Sequence, residues 1–527
     1  FFLSKKLIKS SVIVSFMTLI SRVLGLVRDV VIANVMGTGA SADVFLFANK
    51  IPNFLRRLFA EGAFAQAFVP VLSEFKALDE KEGTDHTRQL IAQVSGTLGI
   101  IVTLVTLFGI IASPVIVMIF GPGWFYDWLN DGPNAEKFDL AAALLKITFP
   151  YLWFVSFTAL SGAILNTMGR FAVAAFSPVL LNVCIICAAI YLSPQLSNPA
   201  YGLAWGVFLG GLAQLLFQIP FLIRAGVFVK PQWAWQSAGI VKIRRLIIPA
   251  LFGVSVTQIN LLLDTVIASV LITGSISWLY YADRLLEFPL GLFGIGIATV
   301  ILPSLAGLHA RKNHSVFSDT IDWAIKVISL LGWPALAGLM VLAQPIIMVL
   351  FMRGEFSQND VIQVSFALFA YLSGLISFMF IKVLAPGYYA RQDTRTPVKI
   401  GIKAMIANMV FNLMLAPFFG YVGLALATTL SATLNAFLLY RGLKHQGVYQ
   451  LSTKTIMFIL RLIVSSLLMA TVVYNLSPSF DIWLALTLPA QIKQLFICIS
   501  LGALSYFIAI ILFGVRLNDF KVQKSAS

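Results

Sequence analysis

Apolar runs of about 20 residues recur from one end of this chain to the other, and no other feature restricts its fold so strongly. A run of that length crosses the hydrocarbon layer of a bilayer as a helix. In lipid only helices and closed barrels satisfy every backbone group, and barrel strands are alternating segments of about 10 residues. The runs here are continuous, so the sequence predicts an all-α integral membrane protein. Composition decides against the soluble alternative. Only 11% of the 527 residues are charged and 59% are hydrophobic, whereas soluble domains carry about a quarter charged residues.

Fourteen transmembrane helices are expected, at 11–36, 43–72, 91–120, 140–166, 172–193, 200–223, 243–272, 278–307, 320–350, 361–386, 397–417, 422–441, 455–475 and 491–514. The run behind Lys5, Lys6 and Lys9 reads as a retained first helix, because Arg22 and Arg28 follow it with no small-residue cleavage site. Basic residues sort to alternate connections: Lys76, Lys81 and Arg88 after span 2, Arg170 after span 4, and Arg224, Lys230, Lys242, Arg244 and Arg245 after span 6. Arg311, Arg391, Arg441 and Arg516 continue the series, and in the other connections Lys137 and Arg353 are the exceptions. The positive-inside rule then places both termini in the cytoplasm. The formal net charge of +15 is thus a topology signal, and nucleic acid is not an expected partner.

The chain also repeats itself. DVVIANV (29–35) matches DTVIASV (264–270) at five of seven positions, and each is followed by a short glycine loop and a polar-rich helix. YGLAW (201–205) and GRFAVAAFSP (169–178) have counterparts in YVGLALA (421–427) and ARQDTRTPVKI (390–400). Each copy holds six spans, an even number, so the copies share one orientation and their pseudo-twofold axis runs along the membrane normal. The expected organisation is an N-terminal lobe at 1–230, a C-terminal lobe at 231–446, and two additional helices with a tail at 447–527.

Charge inside a span is costly and usually functional. At 100° per residue, Thr18, Ser21, Arg22, Gly25, Arg28 and Asp29 share one arc of span 1, and apolar residues fill the rest. Span 8 gathers Tyr280, Asp283, Arg284 and Glu287 on one face, with Arg284 and Glu287 spaced to pair. Span 2 carries Asp43, Lys50, Arg56, Arg57 and Glu61, and span 7 carries Asn260 and Asp264. The repeat puts spans 1 and 2 in the places that spans 7 and 8 occupy in the second lobe, so these faces are expected to line one cavity. Arginine in such a cavity suits phosphate, since its fork donates two parallel hydrogen bonds. Internal salt bridges between lobes are the plainer alternative. GVFLGG (206–211) and GLFGIG (291–296) read as close-packing sites.

Enzymatic chemistry finds little support. His86, His309, His314 and His445 all fall in polar connections, and no clustered carboxylates or nucleophile–base pair is visible. Cys184, Cys187 and Cys498 lie in apolar runs and read as helix filler. No cofactor and no metal are expected.

At SRVLGLVRD (21–29), PNFLRRLFAEGAFAQAFVP (52–70), YYADRLLEFPLG (280–291) and VLAPGYYARQDTRTPVK (383–399), the chain closely resembles the MurJ (MviN) family of lipid II flippases. The resemblance covers essentially the whole chain. It implies a two-lobed exporter with two extra C-terminal helices in the bacterial inner membrane. The implied substrate is lipid II, an undecaprenyl diphosphate carrying a disaccharide-pentapeptide, and membrane lipids are the other implied partners. The family's essential arginines match Arg22, Arg28, Arg56 and Arg284, and its essential aspartate matches Asp43. Asp29, Lys50, Glu61, Asp283 and Glu287 occupy matching positions whose roles the resemblance leaves open. Coupling to a monovalent ion is compatible with this reading and not required by it, and no protein partner is indicated.

Overall fold

The computed structural model describes residues 5–57, 64–82, 85–311, 313–516 and 519. They form an all-helical chain, with no strand among the described residues. Among the described residues eight helices are long and apolar enough to cross a membrane, and the bent pair Gln358–Leu372 and Leu375–Tyr389 makes a ninth when taken as one span. One of the eight, Arg395–His445, is two helices in series, because Gly420 breaks it with φ 57° and ψ −134°. The expected spans 1, 2, 7 and 8 are helical over most of their described residues and are not among those nine. The number fourteen itself stays a reading of the sequence.

The chain divides into two compact units, Phe1–Ser277 with Arg353–Phe356, and Trp278–Met352 with Ser357–Ser527. In the first unit the helices are α1 (Lys5–Met36), α2 (Ala40–Leu55), α3 (Phe64–Glu82), α4 (His86–Ile111), α5 (Ser113–Phe120), α6 (Pro122–Leu129), α7 (Ala135–Thr148), α8 (Pro150–Thr167), α9 (Phe171–Cys187), α10 (Pro199–Arg224) and α11 (Ala238–Ala268). The first turn of α12 (Ser275–Pro289) closes this unit. Local chemistry sets several starts. Asn198 accepts a hydrogen bond from the Ala200 N–H ahead of α10, and Ser237 accepts from the Ile240 N–H ahead of α11, each satisfying a donor that a helix N-terminus would leave orphaned.

Packing in this unit follows the glycines. A Cβ on Gly206 would stand 2.7 Å from the Ala188 Cβ, and one on Gly210 would stand 2.6 Å from Leu181 Cδ1. The stripe 206–211 therefore lets α10 lie against α9 at backbone distance, as the sequence reading expected. The core here is Phe68, Leu72, Leu90, Val94, Leu160 and Leu165, all nearly inaccessible. α1 rests on α9, α2 on α7, and α11 on α3.

The second unit holds the rest of α12, then α13 (Gly296–Ala310), α14 (His314–Phe351), α15 (Gln358–Leu372), α16 (Leu375–Tyr389), α17 (Arg395–His445), α18 (Thr453–Leu476), α19 (Phe480–Ala485) and α20 (Leu488–Leu512). Residues 290–295, between α12 and α13, wind as a π-helix at the GLFGIG segment, a widened turn of the kind that marks functional bends. Ser357 and Asp360 form a reciprocal capping box that starts α15. The two C-terminal helices α18 and α20 pack on each other and on α14 through Leu342, Leu462, Met469, Cys498 and Tyr506. Of the three cysteines only Cys498 is buried; Cys187 is exposed on its helix, so core filler describes the former and not the latter.

A polar staple fixes the entry to α18. The carboxylate of Asp322 on α14 accepts hydrogen bonds from the Thr455 hydroxyl at 2.7 Å and the Tyr449 hydroxyl at 2.9 Å, and pairs with Lys326 at 3.0 Å. Burial and the adjacent Asp322 charge push the Tyr449 phenol well above its ordinary value, so it stays protonated and remains a donor.

Candidate functional site

The polar arc of α1 is built around Arg28. Its guanidinium donates to the Asp29 carboxylate through Nε at 3.0 Å and Nη2 at 2.7 Å, and through Nη1 to Asn182 Oδ1 at 3.0 Å. Asp29 is 2% exposed, deep enough that it requires a cationic partner. Asn182, on α9, also donates from Nδ2 to the Ser21 carbonyl at 3.1 Å. These two partners fix the amide orientation, since the reverse would set its NH2 against a guanidinium. Sequence reasoning passed over Asn182. The available signal was a lone amide in the apolar stretch LLNVCIICAAI.

Arg22 lies on the same helix. It is exposed, and among the described residues no acid stands within ion-pair distance of it.

Asp43 sits in the first turn of α2 and is 2% exposed. Its carboxylate accepts from the Gly274 N–H at 2.7 Å, the Ser277 N–H at 2.9 Å and the Ser277 hydroxyl at 2.7 Å. Those donors are the orphan groups at the start of α12, where a carboxylate is favoured by both hydrogen bonding and the helix dipole. Lys137 lies 3.8 Å away and donates to the Thr273 hydroxyl at 2.8 Å, with its ammonium 5.6 Å from the centre of the Trp124 ring. Lys137 is itself 4% exposed. Its place as an exception to the charge sorting thus has a physical cause: it is a buried counter-ion, not a loop cation. Among the described residues the partners of Asp43 are Lys137 and the α12 N-terminus.

Further along α2, Lys50 donates to the Thr265 hydroxyl of α11 at 3.0 Å. Arg56, at the helix end, donates from Nε to Asn53 Oδ1 at 3.1 Å. α2 runs through Pro52, and Arg56 and Arg57 continue it as a wider turn. Glu61 lies outside the described residues.

In the second unit, Arg284 on α12 donates to Glu287 at 2.8 Å and to the Tyr280 hydroxyl at 3.3 Å, and lies over the Tyr280 ring at 4.9 Å. The three-residue spacing does pair Arg284 with Glu287, as expected. The Arg284 side chain is partly exposed and that of Glu287 is exposed, so the pair contributes little stability. Asp283, one position earlier, is half-buried. Lys382, on α16, has its Cγ 3.5 Å from where a Cβ on Gly294 would stand.

Among the described residues no group of three or more histidine, cysteine, aspartate or glutamate side chains is placed to hold a metal ion. What the arrangement offers is one guanidinium, that of Arg28, gripped by Asp29 and Asn182 on a polar helix face, and further arginines on other polar faces.

Known proteins share this architecture. A family model described as lipid II flippase MurJ matches residues 32–493. The chain is 62% identical over 518 residues to the probable lipid II flippase MurJ of Vibrio cholerae, covering 98% of each chain. It is 58% identical to the probable lipid II flippase MurJ of Haemophilus influenzae, over 95% of this chain and 98% of that one. Among solved structures, a lipid II flippase MurJ in an inward closed conformation matches 95% of this chain and 98% of its own, at 27% identity and a TM-score of 0.78. An inward-facing multidrug resistance MATE family transporter matches 82% of this chain and 97% of its own, at 14% identity and a TM-score of 0.69, a likeness of fold alone.

Proposed function

We propose, from the premise that this chain belongs to the lipid II flippase MurJ family, that it carries lipid II from the cytoplasmic to the periplasmic leaflet of the bacterial inner membrane for peptidoglycan synthesis. The observation that carries the proposal within the molecule is Arg28, held in one plane by Asp29 and Asn182. A guanidinium already oriented loses less freedom when a diphosphate arrives. Arg22 and Arg56 extend the basic face in the same unit, and Arg284 joins them on the strength of the sequence repeat. Asp29, Lys50, Glu61, Asp283 and Glu287 form the charge network around these arginines, and Asp43 anchors the α12 N-terminus.

In this reading the lobes at 1–230 and 231–446 alternate between inward-open and outward-open states, and the helices of 447–527 adjoin the lipid tail. Both termini lie in the cytoplasm, following the basic connections. Substrate drives the change only by binding one state better than the other. The membrane potential, inside negative, favours outward movement of an anion by about 2.3 kcal/mol per charge per 100 mV, so an accompanying monovalent ion is not needed for the outward step.

The test uses cells depleted of their own lipid II flippase and supplied with this chain, with externally exposed lipid II measured by glycan labelling. Wild type is expected to restore growth and labelling. Arg28→Ala at equal membrane abundance is expected to restore neither. Restoration by Arg28→Ala would remove the arginine from the mechanism. Failure of wild type, correctly inserted, would move the substrate to another polyprenyl-linked glycan.

A further inference from the structure

The first unit holds a crevice of about 210 Å³ between α3, α4, α8, α11 and the connection that precedes α11. Phe64, Val102, Val105, Leu152 and Ile243 supply its walls. The two hydroxyls that face it are engaged with backbone: Ser156 donates to the Leu152 carbonyl at 2.7 Å, and Thr97 accepts from the Ala234 N–H at 3.3 Å. A buried water typically makes about three hydrogen bonds, and apolar cavities stay dry. The chemistry of the walls therefore selects an apolar occupant. Ile101 belongs to the same wall and is 38% exposed, so the apolar surface continues outward to the face of the helix bundle.

One cation stands at the crevice. Arg244 is half-buried, with its guanidinium 4.4 Å from the centre of the Trp235 ring. Trp233 stacks on Trp235 at 5.9 Å. Lys242, two positions before it, pairs with Glu74, and among the described residues Arg244 has no carboxylate within ion-pair distance. The connection that carries the tryptophans is seated firmly. Gln232 N–H donates to the Ala92 carbonyl at 2.8 Å, and a Cβ on Gly96 would stand 2.2 Å from the Gln232 carbonyl oxygen. An apolar slot with an oriented cation and paired indoles at its edge is the pattern of a lipid headgroup boundary.

We propose that this crevice binds one acyl chain of an anionic membrane phospholipid, with Arg244 receiving the headgroup phosphate. None of Arg22, Arg28, Asp43 or Arg56 contributes to its walls, and its volume takes a short segment of one chain. The site is thus separate from the proposed transport site and does not depend on which lipid-linked glycan is moved.

The test is native mass spectrometry of the purified full chain with phosphatidylglycerol and with phosphatidylcholine of the same acyl composition. Wild type is expected to retain phosphatidylglycerol at least fivefold better than phosphatidylcholine. Arg244→Gln is expected to erase that preference, and Arg245→Gln to preserve it. Val105→Phe, which fills the crevice, is expected to lower retention of both lipids. Should Arg244→Gln not fold, Trp235→Leu frees the guanidinium from its ring and is expected to reduce the preference at least threefold. Equal retention of the two lipids by wild type would overturn the headgroup assignment. Undiminished retention by a folded Val105→Phe protein would overturn the crevice. Displacement of phosphatidylglycerol by added lipid II would overturn the assignment to a phospholipid.

Discussion

Asp43→Asn tests how much stability is concentrated at the start of α12. The carboxylate receives three hydrogen bonds, from Gly274 N–H, Ser277 N–H and Ser277 Oγ, at 2.7, 2.9 and 2.7 Å. It also faces Lys137 at 3.8 Å, with both side chains at most 5% exposed. Asparagine keeps one acceptor oxygen, turns an NH2 toward donors, and leaves the Lys137 ammonium buried without its anion. Hydrogen bonds to a charged group contribute about 1.5–3 kcal/mol each, and removing one partner of a buried ion pair costs about 3–5 kcal/mol. These terms describe the same atoms and do not add, so the expected loss is about 3–5 kcal/mol. Lys137→Met removes the other charge and leaves the three hydrogen bonds, with an expected loss of about 2–4 kcal/mol. The double variant lacks the stranded ammonium, so its loss should fall short of the sum by at least about 1 kcal/mol. The assay is equilibrium unfolding of all four proteins in one detergent. Strictly additive losses, or an Asp43→Asn protein within about 0.5 kcal/mol of wild type, would refute the reasoning.

Asn182→Ala removes one of the groups that orient Arg28; flipping, read by external lipid II labelling, should fall at least tenfold while membrane abundance is unchanged, and unchanged flipping would refute a part for Asn182 in orienting it. Gly96→Ala drives a methyl group into the Gln232 backbone, with an expected cost of about 1–3 kcal/mol and faster proteolysis in residues 225–237, while wild-type proteolysis would refute the close approach. Thr455→Val deletes the 2.7 Å hydrogen bond to Asp322 and should cost about 1–3 kcal/mol, measured as earlier thermal loss of contacts between α14 and α18. Gly210→Leu places a branched side chain where Leu181 already stands and should prevent stable accumulation of the protein in the membrane; normal accumulation would refute backbone-distance packing of α9 on α10.

The sequence by itself determined the class of this protein, its helices and its polar faces. Those properties are local: hydropathy over about 20 residues decides what can cross a bilayer, and the helical period decides which side chains share a face. The Arg284–Glu287 pair and the packing role of the glycines at 206–211 are of this kind, since both follow from spacing along one helix. The family was legible too, because its motifs are runs of adjacent residues. Only the tertiary structure decided which charge meets which. Arg28 and Asn182 are 154 positions apart, and Asp43 and Ser277 are 234 apart, so no periodicity links them. Nor could hydropathy show that Lys137 is buried, because a lysine before a span reads as a loop residue until folding brings Asp43 beside it. Long-range partners are fixed by how helices stack, and that stacking depends on close contacts such as Gly210 on Leu181, whose geometry no single segment contains.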